Sequence, residues 1–307
     1  MKRFALLLIF LLLFSMLSAC GTPGESTDTA PTTAAANLGP DPAEDGVLTI
    51  LMVGNSFSFY FCDELYEMLT IAGINAKVYN LYYPACKLEQ HYIWWKNNEA
   101  KYQLFRQDEK GRTKIEDVSL EVALGAENWD VITLQEGSSK MRRGDPEKEL
   151  NTSKNYRDAL YGRFAERFPR AKLYWHHTWA YQVGFNSDGY VVTPEEQKSY
   201  HQRQRQYALG VCEENGVSRI PSGDAWDLVR AGGYDDLCAR TGSNNDMGDN
   251  YHDGDLGGGQ YLNACVWYET LTGLDCRENT FRPEYVLAEE LVVTFQNAAH
   301  QAVEAVK

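Results

Sequence analysis

From residue 47 onward, short apolar runs alternate with amphipathic ones, and this alternation limits the possible folds more than any other feature. Residues 47–53 are apolar except for Thr49, as a strand covered on both faces should be. Comparable runs occupy Ala76–Tyr82, 129–134, Lys172–His176 and 218–221. Between them the apolar period lengthens to that of a helix. Residues 58–72 place Phe61, Leu65, Met68 and Leu69 on one face and stop at Gly73. Further helices are predicted over 88–96, 153–168, 194–214, 257–272 and 283–306. The alternation predicts an α/β fold, a parallel sheet with helices on both faces. Residues 101–117, with Gly111 at the turn, predict a hairpin inserted on that scaffold.

In such a sheet, ligands bind outside the carboxyl ends of the strands. Ser56, the 84–87 loop and Gln135 each follow a predicted strand, which puts them on one rim. The first strand exits through Gly54-Asn55-Ser56-Phe57. A serine hydroxyl there is inert until a base takes its proton, and nearby helix N–H groups favour a developing oxyanion. A serine that merely N-caps the helix is the plainer reading. Far downstream, Asp249-Asn250-Tyr251-His252 supplies a base and an acid to orient it. Asp246, Asp253 and Asp255 crowd the same loop. A calcium-type cage would use them, but the spacing is irregular and no closing Glu follows. Asp253 and Asp255 also compete with Asp249 as the acid partner. Gln135, ending the third strand, has a side-chain amide that can donate to an oxyanion or simply be polar.

Four stretches, in order, resemble the SGNH (GDSL-like) hydrolases and, within them, a bacterial subgroup of the DUF4886 type. They are Val53-Gly-Asn-Ser-Phe57, Cys86-Lys-Leu-Glu-Gln-His91, Trp129-Asp-Val-Ile-Thr-Leu-Gln-Glu-Gly-Ser138, and Asp249-Asn-Tyr-His252 followed by Gly259-Gln-Tyr-Leu-Asn-Ala-Cys-Val-Trp-Tyr-Glu269. The resemblance implies a three-layer α/β/α flavodoxin-like fold with a central parallel sheet. It also implies a triad of Ser56 as nucleophile, His252 as base and Asp249 as orienting acid. The oxyanion hole it implies takes the N–H of Ser56, a backbone N–H from Ala85 or Cys86, with Ala85 the first choice, and the Gln135 side chain. Two positions depart from the family: Pro84-Ala85-Cys86 stands where a Gly is expected, and Gln135 where an Asn is expected. No cofactor and no metal is implied.

Aromatic residues crowd segments near the predicted rim: Tyr92, Trp94, Trp95, Trp175, Trp179 and Tyr181. Such faces stack on sugar rings or fill a core. Trp95, Trp179 and the nearby His91 are the candidate substrate contacts. His176 and His177 read as structural, because no HxH or HExxH spacing suggests a metal.

The N-terminus reads as an export signal, with Lys2 and Arg3 before an apolar run to Met16. Leu17-Ser18-Ala19-Cys20-Gly21 resembles a lipobox, with Cys20 lipidated and the membrane reached through its acyl chains. Residues 1–20 are then a lipoprotein signal peptide and 21–46, rich in Thr, Ala and Pro, a flexible tether. Residues 47–307 form one hydrolase-like domain. The net charge of −14 argues against nucleic acid as a partner, and against polyanionic substrates unless a local patch overrules it. Six cysteines remain besides Cys20. Cys238 with Cys276 is the disulfide to expect first, whereas Cys62 and Cys265 read as plain buried thiols.

The expectation is a lipid-anchored extracytoplasmic serine esterase that needs no cofactor. Its substrates would be O-acyl, foremost O-acetyl, esters of saccharides. The alternatives are a carbohydrate-binding lipoprotein without catalysis, and a lipase or thioesterase.

Overall fold

Seven strands make the main sheet: β1 (Leu48–Gly54), β2 (Ala76–Tyr82), β3 (Tyr102–Asp108), β4 (Gly111–Val118), β5 (Val131–Leu134), β6 (Lys172–His176) and, after a small separate hairpin of β7 (Asn186–Ser187) and β8 (Tyr190–Val191), β9 (Ser218–Ile220). These are features of a computed structural model that describes residues 46–242, 248–285 and 288–307. All of them fall within one unit, Leu38–Lys307. The expected signal peptide, Cys20 and nearly all of the tether lie outside the described residues.

The sheet runs β4-β3-β2-β1-β5-β6-β9. β1 pairs in parallel with β2 and with β5, β5 with β6, and β6 with β9. The five parallel strands therefore follow the flavodoxin-like order, in which winding reverses between the first strand and the third. Here that reversal falls between β1 and β5, so the ligand site expected of such a sheet lies where Gly54 and Leu134 end their strands. Ile50, Leu51 and Met52 are fully buried, as an apolar strand covered on both faces demands. The 101–117 hairpin is not an ornament on the scaffold. β3 pairs antiparallel with β2, and β4 with β3, so the pair widens the sheet by two strands.

Helices cover both faces. On one, α1 (Cys62–Ile71) packs on α7 (Gly259–Thr272), and α7 packs on α8 (Glu289–Glu304), which meets α6 (Ser222–Ala231). On the other, α2 (Leu88–Lys96) packs on the short α3 (Leu120–Leu124) and on α4 (Pro146–Arg167), which meets α5 (Pro194–Asn215). The result is the three-layer α/β/α architecture. α7 is buried on nearly every side, Trp267 included, so it is a core helix rather than an amphipathic one.

Several boundaries differ from expectation. α4 starts at Pro146, not 153, because Asp145 caps it by accepting the Lys148 N–H and Pro146 fills the first turn. The last helix starts at Glu289 rather than 283. α3, α6 and the β7–β8 hairpin were not expected. All six described cysteines are free, so Cys238 and Cys276 form no bridge. Cys62 and Cys265 are buried thiols, as their helical positions suggested. Among the described residues, no helix is long and apolar enough to cross a membrane.

Candidate active site

β1 ends at Gly54, and Asn55 stays extended with φ −141°. Its side-chain Oδ1 accepts the Phe57 N–H at 3.0 Å and starts a single 3₁₀ turn, Ser56–Ser58. Asn55, not Ser56, is therefore the cap. The serine hydroxyl is left to other partners.

Those partners come from the loop before α7. Asp249 Oδ1 accepts the backbone N–H groups of Tyr251 and His252 at 3.2 and 2.9 Å. Its Oδ2 lies 2.5 Å from His252 Nδ1, and His252 Nε2 lies 2.7 Å from Ser56 Oγ. An ionised carboxylate can only accept, so Nδ1 carries the ring proton. The Nε2 lone pair then faces the serine hydroxyl. Burial pushes the Asp249 carboxyl up, but the bonds from the His252 ring and from the two N–H groups outweigh it and hold the group below its ordinary value.

The rival carboxylates do not reach the imidazole. Asp253 is fully buried and accepts the Asn263 amide at 3.0 Å through Oδ2, while its Oδ1 has no partner among the described residues. Burial pushes its pKa up to about 7. Asp255 accepts the N–H groups of Thr241 and Leu256. Asp246 lies outside the described residues. The loop is glycine-rich for a packing reason. A Cβ at Gly254 would sit 1.8 Å from the Ala239 carbonyl oxygen, and one at Gly257 1.9 Å from that of Asp236. Backbone here lies directly against backbone.

The second strand exits through a turn closed by Cys86 N–H to Tyr83 O at 3.2 Å. Pro84 is second in that turn, and Ala85 is third with φ +53°, the pattern of a type II turn. The Cys86 amide is spent on the turn, while Ala85 stands exposed at its tip.

Gln135 departs from the role expected of it. The side chain is 1% exposed and its amide is committed inward. Nε2 donates to Asn55 Oδ1 at 2.7 Å, and Oε1 lies 3.0 Å from His176 Nδ1. His176 Nε2 lies 3.1 Å from the buried Ser222 Oγ. Burial pushes His176 down to about 3, so its ring is neutral and carries one proton. Gln135 Oε1 can only accept, which puts that proton on Nδ1 and lets Ser222 donate to Nε2. Asn55 Nδ2 then donates to Cys86 O at 2.9 Å. One directed chain, from Ser222 through His176, Gln135 and Asn55 to Cys86, thus ties together the exits of β1, β2, β5 and β6. Sequence reasoning missed Asn55, His176 and Ser222 as parts of the site. Only the polar tetrapeptide after β1 hinted at the first.

The expected substrate contacts are elsewhere. His91 is fully buried, with Nδ1 2.9 Å from Tyr102 Oη, and burial pushes it down to about 3. Trp179 is fully buried and stacked on Trp226, with 4.4 Å between ring centroids. Trp95 donates to Glu121 Oε1 at 2.7 Å, in an ion cluster with Arg163 and Arg167. The rings around the imidazole are instead Tyr251, Tyr60 and Phe57, at 4.2, 5.1 and 5.6 Å. Arg240 lies over the Tyr60 ring at 3.9 Å. His177 and His201 approach Asp224, but Arg219 lies 3.1 Å from His177 Nδ1 and 2.8 Å from Asp224 Oδ2, where a bound cation would sit.

The family described as "Domain of unknown function (DUF4886)" matches residues 49–302. A crystal structure of a DUF4886 family protein from Bacteroides uniformis is similar, with TM-score 0.72 and 28% identity over 84% of this chain and 95% of that one. A protein from Slackia heliotrinireducens, provisionally classed as an SGNH hydrolase, superposes with TM-score 0.50 and 20% identity over 73% of this chain and 99% of that one. That second likeness is one of fold. Among curated proteins, none matches the chain.

Proposed function

This chain belongs to the DUF4886 family, and we propose that it works as a serine ester hydrolase. One observation carries the reading: His252 Nε2 lies 2.7 Å from Ser56 Oγ while Asp249 holds the opposite ring nitrogen. In the reaction, Ser56 Oγ attacks the ester carbonyl carbon and its proton passes to His252 Nε2. Asp249 stabilises the imidazolium without taking a proton. Negative charge gathers on the carbonyl oxygen, which the N–H groups of Ser56 and Ala85 receive. The imidazolium then protonates the leaving alkoxide, and an acyl-serine remains. Water, deprotonated by the same Nε2, cleaves that acyl group as a carboxylic acid and restores the serine. Every proton moves between residues of this chain, substrate and water.

The favoured substrates are O-acyl, foremost O-acetyl, esters of saccharides. The half-buried Tyr251 ring beside the imidazole supports this, because aromatic faces stack on sugar rings. The Cys20 motif supports an exported, lipid-anchored protein on the extracytoplasmic face. Nitrophenyl acetate hydrolysis by wild type and by Ser56→Ala tests the chemistry, with labelling by a serine-directed phosphonate. Activity in a folded Ser56→Ala protein equal to wild type overturns it. Cys20→Ala should release the protein from the membrane fraction or leave it uncleaved. Unchanged membrane association, with no lipid on Cys20, removes the anchor.

A further inference from the structure

The chain is strongly acidic, yet one cleft of about 460 Å³ is lined by three arginines, Arg142, Arg143 and Arg203. Arg203 is structural. Its guanidinium donates to the carbonyls of Met141 and Arg142 at 2.8 and 2.6 Å and pairs with Glu196. Glu196, the acid of the cleft, also accepts the Tyr190 hydroxyl at 2.8 Å. Arg142 and Arg143 are different. Neither has a carboxylate within ion-pair distance among the described residues. Their guanidinium groups lie over the Tyr190 ring at 5.5 and 5.4 Å, and among the described residues Arg143 donates only to the Asp188 carbonyl, at 3.4 Å. The Asp188 carboxylate accepts the Ser187 hydroxyl at 3.2 Å and forms no ion pair with either arginine among the described residues. The β7–β8 hairpin presents this ring, turning at Asp188 and Gly189, both with positive φ.

A row of packed rings links the arginines of this cleft to the proposed active site. The His252 ring lies 4.2 Å from Tyr251, Tyr251 lies 5.8 Å from Phe185, and the Arg142 guanidinium lies 5.8 Å from Phe185. An aromatic strip thus leads from the imidazole to two cations with no counter-charge.

We propose that Arg142 and Arg143 form an anion-binding subsite for the saccharide part of the substrate. The favoured esters are then O-acylated acidic glycans, bearing a carboxylate or a sulfate, rather than neutral ones. A planar guanidinium matches either anion with two parallel hydrogen bonds, and the Tyr190 ring lies close to both. The substrate class rests on the esterase reading, but anion binding itself does not.

The test therefore separates the two. Ser56→Ala protein is titrated calorimetrically with oligogalacturonate, with a sulfated oligosaccharide and with a neutral xylo-oligosaccharide. An acidic ligand should bind about tenfold or more tighter than the neutral one. Arg142→Gln with Arg143→Gln should abolish that preference, and added salt should weaken it in the parent protein. The better-bound acid identifies carboxylate or sulfate as the natural group. Should the double variant lose its fold, Arg143→Gln at an exposed side chain gives the same reading with a smaller change. Equal affinity for acidic and neutral ligands, or an acidic preference that survives the substitutions, overturns the subsite. An inactive wild-type enzyme would sink the esterase reading and leave this result standing.

Discussion

The indole N–H of Trp179 donates to the backbone carbonyl of Tyr251 at 2.8 Å. Trp179 is itself fixed face to face on Trp226, deep in the core. The loop that carries Asp249 and His252 is therefore hung from the core by this N–H. Trp179→Phe keeps a ring and removes the donor. It should lower stability by about 1–3 kcal/mol in urea unfolding, as expected for a carbonyl left unpaired. It should also lower kcat on nitrophenyl acetate about tenfold with little change in KM, because a small displacement of the imidazole is costly. A normal kcat would show that the loop holds its place without this bond.

Asp249 has no understudy. Asp253 is bonded to Asn263 and Asp255 to backbone N–H groups, so neither can swing to the imidazole. Asp249→Asn would favour the wrong ring tautomer and should cost about 10⁴ in kcat. A loss under tenfold, measured under single-turnover conditions, would show that another group orients His252.

Asn55 and Gln135 act as one strut through their 2.7 Å bond. Asn55→Ala also cuts the links to Phe57 N–H and Cys86 O, so it should be the more damaging change. Each single variant should lower kcat, and the pair should fall well short of the product of the two losses. Full additivity in a double-mutant cycle would show that the two side chains serve the site separately.

Asp253 makes stability depend on pH in an unusual direction. Its folded pKa of about 7 lies above that of an unfolded carboxyl, roughly 4. Across that interval the folded chain binds more protons, so stability falls as pH rises. The contribution is complete below roughly pH 4 and is lost above about pH 7, with an upper size of about 4 kcal/mol. Glu64, raised chiefly by burial to about 8, acts in the same direction, and because the Asp253 charge adds to its shift, Asp253→Asn slightly reduces that part as well. Wild type should therefore lose stability relative to Asp253→Asn between pH 4 and 7. Parallel stability curves would place the proton elsewhere.

The parallel strands were legible because a strand covered on both faces must be largely apolar, and 47–53 is so except for Thr49, while 76–82 keeps Val78, Tyr79, Leu81 and Tyr82 around Lys77 and Asn80. Ser56, Asp249 and His252 stood out as motifs at a strand exit and in a loop. What stayed hidden is non-local. His91 and Trp179 fall in aromatic segments that read as a rim, and only three-dimensional packing shows that both are enclosed. Gln135 was placed at the right strand end but given the wrong neighbour, since nothing local says that Asn55 would claim its amide. The left-handed Ala85 is a similar case, because the turn takes a conformation that glycine normally supplies. Two missed features did carry signals. Asp188-Gly189 is a hairpin turn pair, and Ala225, Trp226 and Val229 have helical spacing.

His252 meets Ser56 across 196 residues of chain. Translation proceeds from the N-terminus, so the serine and its strand exist well before the imidazole does. A nascent chain holding β1 through β6 carries an unactivated alcohol, no more reactive than any other serine. Under the proposed chemistry, the serine gains its base only when the Gly-rich loop is laid against residues 236–239 and α7 is seated behind it. On that reading, ester cleavage would report on the last quarter of synthesis, and a chain stopped before residue 252 would lack the base altogether.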